Sequence, residues 1–410
     1  MTRWLSIVGI GADGSSGLAP AARDLIKQAQ FLYGGARHLA LVPDGLATRV
    51  EWSKPLSVSI GEILSLKPQR VCVLASGDPM WFGIGVQLAS AVPSEELVIV
   101  SAPSAFSLSA AWLGWPLSKT SMLSLHGRAI ETVEREIEPG ARFIALTNDG
   151  NTAGDVALRL VARGFGRSKM TVLEELGGPE ERVRQVLAED FNLIDIHDLN
   201  TIAVDCCCAD KPAIYSDVPG LDDDFFIHDG QITKKEVRAI TLARLAPSRE
   251  GILWDLGAGS GAISIEWMRA STQAHAYAVE RDVGRAEAIR KNAARFGVPD
   301  ISILNCEMAD ALDVLPPPDA VFIGGGLGSD DGEREVGRAY QALNPGGRMV
   351  ANAITLLGDA ALLRLHERFG GDLTRIAISR AAPVGRQLGW RPLMPVTQWT
   401  VTKSWSDGTA

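Results

Sequence analysis

The stretch Ile252-Leu253-Trp254-Asp255-Leu256-Gly257-Ala258-Gly259-Ser260-Gly261-Ala262-Ile263 decides the fold of the second half of the chain. An apolar run typical of a buried strand ends at Asp255, three glycines follow at alternate positions, and a helical pattern begins. Because glycine has no Cβ, such a loop can turn sharply and approach a ligand closely, and a helix N-terminus presents free N–H groups beside it. The stretch therefore predicts a ligand site at the carboxyl end of a strand.

The residues at the ends of the next two predicted strands indicate what that ligand is. Glu280 ends the second strand, where a carboxylate can accept hydrogen bonds from a ribose diol. Asp310 and Ala311 follow the third strand, where an adenine ring would lie. Both a dinucleotide and S-adenosylmethionine fit a glycine loop combined with a ribose-binding acid.

The spacing of the three glycines separates these two ligands. A dinucleotide fingerprint has the spacing G-x-G-x-x-G, whereas Gly257, Gly259 and Gly261 have the tighter spacing G-x-G-x-G. Together with Asp255, this loop resembles motif I of class I S-adenosylmethionine-dependent methyltransferases. The resemblance implies that Asp255, the three glycines, Glu280, Asp310 and Ala311 bind S-adenosylmethionine.

Later strands of the same half supply two further candidates. The run Asp319–Gly326 is predicted as a strand that opens into a glycine-rich loop, which makes Gly325 a candidate substrate-binding residue. Asn352 ends a later strand and could face the transferred methyl group. The segment Val396–Lys403 is predicted to close the sheet as an antiparallel edge strand.

Length and turn residues indicate two domains. A single core stops growing at about 250–300 residues, and the chain has 410 residues in which strands and helices alternate throughout. Turn residues surround position 212, and the acidic run Asp222–Asp224 follows. We therefore expect two α/β domains, residues 1–212 and residues 213–410.

Composition excludes several classes of protein. A net charge of −9 does not suit a general nucleic-acid-binding surface, and no apolar stretch approaches the roughly 18 residues needed to span a bilayer. We expect a cytoplasmic protein with no nucleic-acid or membrane partner. The triplet Cys206-Cys207-Cys208 could indicate a metal or redox site, but neighbouring strand residues point to opposite faces. We therefore favour a buried strand end and expect no metal.

The N-terminal half has two glycine-containing motifs, and the second is better evidence for a ligand site than the first. Gly9, Gly11 and Gly14 satisfy G-x-G-x-x-G, but no acid follows where a dinucleotide site requires one. More informative is the run Ser76-Gly77-Asp78-Pro79 after a predicted strand, followed by Pro103-Ser104 at the start of a helix.

At these residues the N-terminal half resembles the tetrapyrrole methylase family, a two-lobed α/β fold that binds S-adenosylmethionine between its lobes. The resemblance implies that the cofactor is bound by Gly77, Asp78, Pro79, Ser104 and Thr147. The first motif of the family is usually Gly-x-Gly-Pro-Gly-Asp, and Ala12-Asp13-Gly14 departs from it here. The C-terminal half is correspondingly expected to be a Rossmann-like class I methyltransferase.

Both halves are similar to the branch of these families that acts on precorrin-6 in cobalamin synthesis. The N-terminal runs Gly34–Leu39 and Leu125–Arg128 and the C-terminal run Phe226–Arg238 carry this similarity. It implies two methyl transfers to a reduced corrin precursor and loss of one acetate carboxyl group as carbon dioxide. It assigns the decarboxylation and one methylation to the C-terminal domain. A general acid would assist the decarboxylation, and we consider two sources of the proton: His228, which precedes the first helix of this domain, and proton transfer assisted by the substrate.

A precorrin carries many carboxylates, so basic residues at the pocket rims are candidate ligands. We expect substrate contacts from Arg37, His126 and Arg128 in the first domain, and from Lys234 and Arg238 in the second. Two separate sites and a large intermediate favour a homo-oligomer. Three alternatives remain open: a nicotinamide-dependent oxidoreductase, a tetrapyrrole- or nucleotide-sensing module, and a methyltransferase acting on another porphyrinoid or a small metabolite.

Overall fold

The structure is a computed structural model that describes residues 3–208, 212–328 and 331–405. The chain divides into two compact units, Met1–Ala213 and Ile214–Ala410, which we call the N-terminal and C-terminal units. The division lies next to the boundary expected at residue 212. The predicted linker residues Ala209–Lys211 lie outside the described residues.

The N-terminal unit begins with a parallel five-stranded sheet of order β3-β2-β4-β1-β5. Its central strands are almost wholly buried, because crossover helices cover both faces of a parallel sheet. The carboxyl ends of these strands therefore meet at one edge. The strands are β1 (Leu5–Ile10), β2 (Phe31–Gly34), β3 (Thr48–Glu51), β4 (Val71–Ser76) and β5 (Leu97–Val100).

A second five-stranded sheet in this unit has the order β6-β7-β10-β8-β9, and all its neighbouring pairs except β6 and β7 are antiparallel. The strands are β6 (Ser121–Ser124), β7 (Arg142–Leu146), β8 (Lys169–Glu174), β9 (Arg182–Leu187) and β10 (Asn200–Asp205).

One strand predicted for this second sheet is wrong. The sequence predicts a strand over Leu193–Leu199, but this segment is a loop, and β9 forms the edge of the sheet instead. Side chains rather than a strand ladder satisfy the loop: the backbone N–H of His197 donates to Glu174 Oε1 at 2.8 Å, and Arg184 Nη1 donates to the carbonyl of Ile194 at 2.8 Å.

The C-terminal unit contains a seven-stranded sheet of order β13-β12-β11-β14-β15-β19-β16. The first five strands are parallel, and β19 runs antiparallel between β15 and β16, so it is not the edge strand that the sequence predicted. A hairpin of β17 and β18 stands apart from this sheet. The strands are β11 (Ile252–Leu256), β12 (His275–Val279), β13 (Ser302–Leu304), β14 (Ala320–Ile323), β15 (Arg348–Ala353), β16 (Asp372–Ile376), β17 (Ser379–Val384), β18 (Gln387–Pro392) and β19 (Val396–Thr402).

Helices cover the sheets of both units. Those of the N-terminal unit are α1 (Pro20–Gln28), α2 (Ala36–Ala40), α3 (Leu56–Ser65), α4 (Ile84–Ala91), α5 (Ala105–Leu113) and α6 (Thr152–Ala162). Those of the C-terminal unit are α7 (Lys235–Leu245), α8 (Ala262–Ala270), α9 (Val283–Arg295), α10 (Met308–Ala311), α11 (Gly332–Ala342) and α12 (Leu356–Phe369). None of these helices has the length and apolar composition that crossing a bilayer requires.

The expected fold class is confirmed, since each unit is an α/β structure built on parallel strands. The core of the C-terminal unit packs around large buried side chains such as Trp254 and Trp399. The sequence also predicts a helix over Ala129–Glu138, but the structure has only a 3₁₀ segment there, over Ile130–Arg135.

Candidate functional site

The C-terminal unit has a cavity of about 1230 Å³ at the carboxyl ends of its parallel strands. Its wall includes one residue within two positions of the carboxyl end of each of five strands, namely Gly257, Glu280, Cys306, Gly324 and Asn352. Parallel strands bring these positions to one edge, which is where open α/β sheets bind ligands.

The glycine loop needs its glycines for backbone geometry. Gly257 and Gly259 have φ angles of +77° and +59°, in the left-handed region that side chains disfavour. A Cβ on Gly257 would lie 3.2 Å from the backbone nitrogen of Gly325, whereas a Cβ on Gly325 would meet nothing within 4 Å. All three residues line the cavity, so bare backbone forms this part of its wall.

Glu280 presents a carboxylate to this wall although the residue is only 5% exposed. Its Oε2 accepts from the Gly259 N–H at 2.8 Å, and its Oε1 accepts from the Asp282 N–H at 3.0 Å. These bonds fix the carboxylate, and each oxygen keeps a second acceptor position. The pair of oxygens is therefore suited to the two hydroxyls of a ribose.

Asp255 and Gly261 lie behind the cavity wall and do not line it. Asp255 Oδ2 accepts from the backbone N–H and the hydroxyl of Ser264, at 3.2 and 2.7 Å, so the carboxylate supports the start of α8. Burial, together with the charge of Glu280, raises the pKa of Asp255 to about 7. A Cβ on Gly261 would lie 2.8 Å from Ile289 Cγ2, so this glycine lets α8 pack against α9.

The two residues that the sequence places beside the adenine ring do not line the cavity. Asp310 is exposed and Ala311 belongs to the hydrophobic core, and neither lines the cavity. The loop after β13 is short because α10 begins at Met308, and residues Cys306–Met308 line the cavity instead.

The predicted position of Arg238 at the rim is wrong. Its side chain is wholly buried: Nε donates to Glu266 Oε1 at 2.5 Å and Nη1 donates to Asp223 Oδ1 at 3.0 Å. Arg238 faces inward from α7 and connects this helix to α8. Arg238 therefore forms structural ion pairs with Glu266 and Asp223, which compensate its charge inside the protein.

The other polar residues predicted for this half have mixed positions. Lys234, Gly325 and Asn352 line the cavity. His228 does not line it, and its Nδ1 accepts from the backbone N–H of Gly230 at 2.9 Å. This position does not support the proposed role of His228 as the general acid.

The N-terminal unit has its own cavity of about 630 Å³. Seven of the eight residues predicted for this half line it, namely Arg37, Gly77, Asp78, Ser104, His126, Arg128 and Thr147. Pro79 is the exception: it is buried, and its carbonyl and ring pack where a Cβ on Gly83 or Gly85 would lie. Pro79 therefore shapes the loop without facing the cavity.

The end of β1 and the loops that follow β4 and β5 pack tightly beside this cavity. A Cβ on Gly9 would lie 1.9 Å from the carbonyl oxygen of Gly77, and a Cβ on Gly77 would lie 2.9 Å from Ser104 Cα. Gly9, the first glycine of the N-terminal G-x-G-x-x-G run, is thus required by the close approach of the loop after β4 to strand β1, and this contact gives it a structural role. The Ser104 hydroxyl also caps α5 by accepting from the Ser107 N–H at 3.2 Å.

Arg37, His38 and Arg128 are basic residues that line the same cavity. Arg37 and Arg128 are exposed, and His38 Nε2 lies 3.2 Å from Arg37 Nη2 and 2.8 Å from Ser76 Oγ. Burial and the neighbouring Arg37 charge lower the pKa of His38 to about 4. His38 is therefore neutral near pH 7, and among these three basic residues Arg37 and Arg128 carry the positive charge.

Two aromatic residues of this cavity were not predicted from the sequence. Trp81 and Phe82 line it, are 46% and 45% exposed, and contact the buried ring of Phe106 at centroid distances of 6.3 and 6.0 Å. Phe82 has a φ of +57°, and the Arg128 guanidinium lies 5.1 Å above its ring. The signal in the sequence is the aromatic pair Trp81-Phe82, which follows Gly77-Asp78-Pro79 after a single residue.

The cysteine triplet follows β10 and its members have different environments. Cys206 is buried, Cys207 is exposed and Cys208 is intermediate. Burial raises the pKa of Cys206 to about 12. Over the ranges 3–208, 212–328 and 331–405, no group of three or more His, Cys, Asp or Glu side chains is arranged to hold a metal ion.

Comparisons with known proteins define the class. Residues 5–192 match the family model described as tetrapyrrole (corrin/porphyrin) methylases, and residues 224–403 match the one described as a precorrin methyltransferase domain. Each model falls on one of the two units. The chain is therefore a methyltransferase enzyme with two methyltransferase units of different folds.

Its relatives identify the family within this class. A Sinorhizobium sp. protein named precorrin-6Y C(5,15)-methyltransferase [decarboxylating] is 47% identical over 98% of this chain and 96% of its own length. A Mycobacterium tuberculosis protein of the same name is 39% identical over 97% and 99%, respectively. A Salmonella typhimurium cobalt-precorrin-7 C(5)-methyltransferase is 32% identical over 44% of this chain and 88% of its own. The chain belongs to the precorrin-6Y C(5,15)-methyltransferase (decarboxylating) family.

Proposed function

We propose that each unit binds S-adenosylmethionine and that the chain performs two methyl transfers and one decarboxylation on a precorrin during cobalamin synthesis. We assign the transfer to bridge carbon 5 to the N-terminal unit, and the transfer to carbon 15 with loss of the ring C acetate carboxyl to the C-terminal unit. The substrate is precorrin-6B and the product is precorrin-8. Family membership carries the reaction class, and the two separate cavities support the division of labour.

The residues of the C-terminal cavity fit this methyl donor. The wall of bare backbone at Gly257 and Gly259 leaves room for the methionine part, and Glu280 offers two fixed acceptors for the ribose hydroxyls. Met308 supplies an apolar, polarisable contact suited to an adenine ring. When bound, S-adenosylmethionine supplies an electrophilic methyl group on a sulfonium.

The protein then has to position its substrates rather than provide a nucleophile. A methyl transfer to an electron-rich carbon needs alignment at near-attack distance. Lys234 lines the cavity, and over the described parts of the C-terminal unit it has no acidic partner. It is therefore placed to bind a carboxylate of the macrocycle.

The N-terminal cavity suits a flat, conjugated polyanion. Trp81 and Phe82 offer ring faces on which a macrocycle can stack, and Arg37 and Arg128 offer charge-assisted hydrogen bonds to its carboxylates. Another part of the wall is formed by Gly77, Asp78, Ser104 and Thr147, and we place the methyl donor there.

The homo-oligomer expected from the sequence stays a prediction. Analytical ultracentrifugation of the full chain tests it.

The test is mass spectrometry of the products formed by the full chain from precorrin-6B and S-adenosylmethionine. We expect the mass to rise by two methyl groups and to fall by one carbon dioxide. Calorimetry with S-adenosylhomocysteine should report two sites per chain. A product with no carbon dioxide lost, or a chain with a single site, would contradict the proposal.

A further inference from the structure

Three polar side chains from distant parts of the C-terminal unit meet beside its cavity. Asn352 on β15 and Gln398 on β19 are directly paired in the antiparallel register, and Thr241 on α7 packs against both. Thr241 and Gln398 are 0% and 1% exposed, whereas Asn352 is only partly buried and lines the cavity. We call these three residues the amide cluster.

The hydrogen bonds of the amide cluster fix the orientation of Asn352. Gln398 Nε2 donates to Asn352 Oδ1 at 3.0 Å and to Thr241 Oγ1 at 3.1 Å, which uses both of its N–H groups. Asn352 Nδ2 donates one N–H to Thr241 Oγ1 at 3.0 Å. Since Asn352 lines the cavity, its second N–H is the one that it can offer to a ligand there.

Stability alone does not account for the amide cluster. The same elements also carry buried apolar residues: Val237 on α7 and Val396 on β19 pack with Ile376 on β16. Gln398 Oε1 is buried without a hydrogen-bond partner in the described residues, and an unsatisfied polar atom of this kind is costly. A protein that keeps such a group in its core gains from the geometry the group imposes.

We propose that Thr241 and Gln398 are positioning residues for the decarboxylation, and that they hold Asn352 so that its Nδ2 donates a hydrogen bond to the substrate carboxylate that is lost. This inference rests on the proposed function of the C-terminal unit. The carboxylate must stand out of the macrocycle plane, because the electrons of the breaking bond can enter the conjugated ring only in that orientation.

The chemistry favours an amide over a cation at this position. The bond between the acetate methylene and the carboxylate carbon breaks, its electron pair moves into the ring, carbon dioxide leaves, and the methylene carbon takes up a proton from water. The carboxylate loses its charge in this step, so a cation would stabilise the reactant more than the transition state. A neutral N–H also orients the carboxylate, but it stabilises the charged reactant less than a cation does.

The experiment compares variants of the full chain that share one internal standard, the methyl transfer at carbon 5, which is measured in a separate reaction on substrate that has already lost its carbon dioxide. Thr241→Val removes the shared acceptor without changing side-chain shape, Thr241→Ser restores it, and Gln398→Met removes both amide donors. Thr171→Val is the matched control, because Thr171 is a buried threonine of the N-terminal unit that accepts from Gln185 Nε2 at 3.3 Å. Carbon dioxide release, carbon 5 methylation, S-adenosylhomocysteine affinity and melting temperature are measured for each.

We expect Thr241→Val and Gln398→Met to lower kcat for carbon dioxide release by about tenfold or more. Both variants should keep the S-adenosylhomocysteine affinity of the parent and its rate of carbon 5 methylation. Thr241→Ser should recover most of the rate, and Thr171→Val should keep all of it. A parent-like kcat for carbon dioxide release in both Thr241→Val and Gln398→Met would overturn the inference. Should Thr241→Val lose donor binding through misfolding, Gln398→Met decides alone. If the parent chain itself releases no carbon dioxide from precorrin-6B, the proposed function fails first.

Discussion

Replacing Arg238 with methionine separates a structural role from a role in substrate binding. The side chain is 0% exposed and donates to Glu266 and Asp223. It also donates to the backbone carbonyls of Thr233 and Leu221. Methionine has a similar length and no charge, so Arg238→Met removes these bonds and leaves the buried Glu266 carboxylate without its cation.

The magnitude follows from the burial of both partners, whose side chains are 0% and 2% exposed. Removing one partner of a buried ion pair costs about 3–5 kcal/mol, because the other charge stays buried and uncompensated. For a unit of this size, each kcal/mol corresponds to roughly 2–4 °C in melting temperature, which gives a decrease of about 6–20 °C. The double variant Arg238→Met/Glu266→Gln should recover part of this loss, since it leaves no unpaired charge.

The assay is differential scanning calorimetry of the full chain, combined with the KM for precorrin-6B at the C-terminal site. Lys234→Met is the control: Lys234 lies next to α7 and lines the cavity, so this variant should raise KM and leave the melting temperature unchanged. An Arg238→Met chain with the melting temperature of the parent and a raised KM would refute the structural assignment.

Three further predictions concern the two cavities. Glu280→Ala should weaken S-adenosylhomocysteine binding at the C-terminal site by about 1–3 kcal/mol, through lost ribose hydrogen bonds; an unchanged affinity in calorimetry would reject the role of Glu280. Burial raises the pKa of Asp255 to about 7, and in an unfolded chain an aspartate titrates near about 3.9. The folded state therefore binds the extra proton, and the contribution of Asp255 to stability falls as the pH rises from about 4 to 7. Asp255→Asn removes this titration, so the melting temperature of the variant minus that of the parent should increase from pH 5 to pH 8, and a constant difference would contradict the burial effect. Trp81→Leu should raise the KM for carbon 5 methylation by removing a stacking surface, whereas an unchanged KM would place the macrocycle elsewhere.

The sequence was most informative where backbone geometry restricts the choice of residue. Gly257 and Gly259 have positive φ angles, and Gly77 combines a positive φ with loop contacts that exclude a Cβ. Such positions accept little besides glycine, so they form motifs that a reader can recognise. The carboxyl ends of parallel strands then bring the motifs to one edge, and seven of the eight residues predicted for the N-terminal cavity line it.

Side chains with distant partners were less predictable. Arg238 follows Lys234 by one helical turn, so periodicity alone does not separate the buried face of α7 from the rim of the cavity. The decisive observation is the partner, Glu266, on a different helix. The length of the loop after β13 could not be predicted either. The helix α10 already begins at Met308, so Asp310 lies in this helix and does not line the cavity.

The amide cluster shows what the sequence could not reveal about the substrate side of the C-terminal cavity. Asn352 was identified as a strand-end residue, but its orientation depends on Gln398, which meets it only because β19 enters the sheet between β15 and β16. An edge strand at the end of the sheet, as the sequence predicted, would pair with different residues. The donor side of this cavity is built largely from local backbone, and the substrate side from pairings across the whole unit. It follows that substitutions in β19, which contains no recognisable motif, should change the reaction of the bound macrocycle. The affinity of the C-terminal site for the methyl donor should change less.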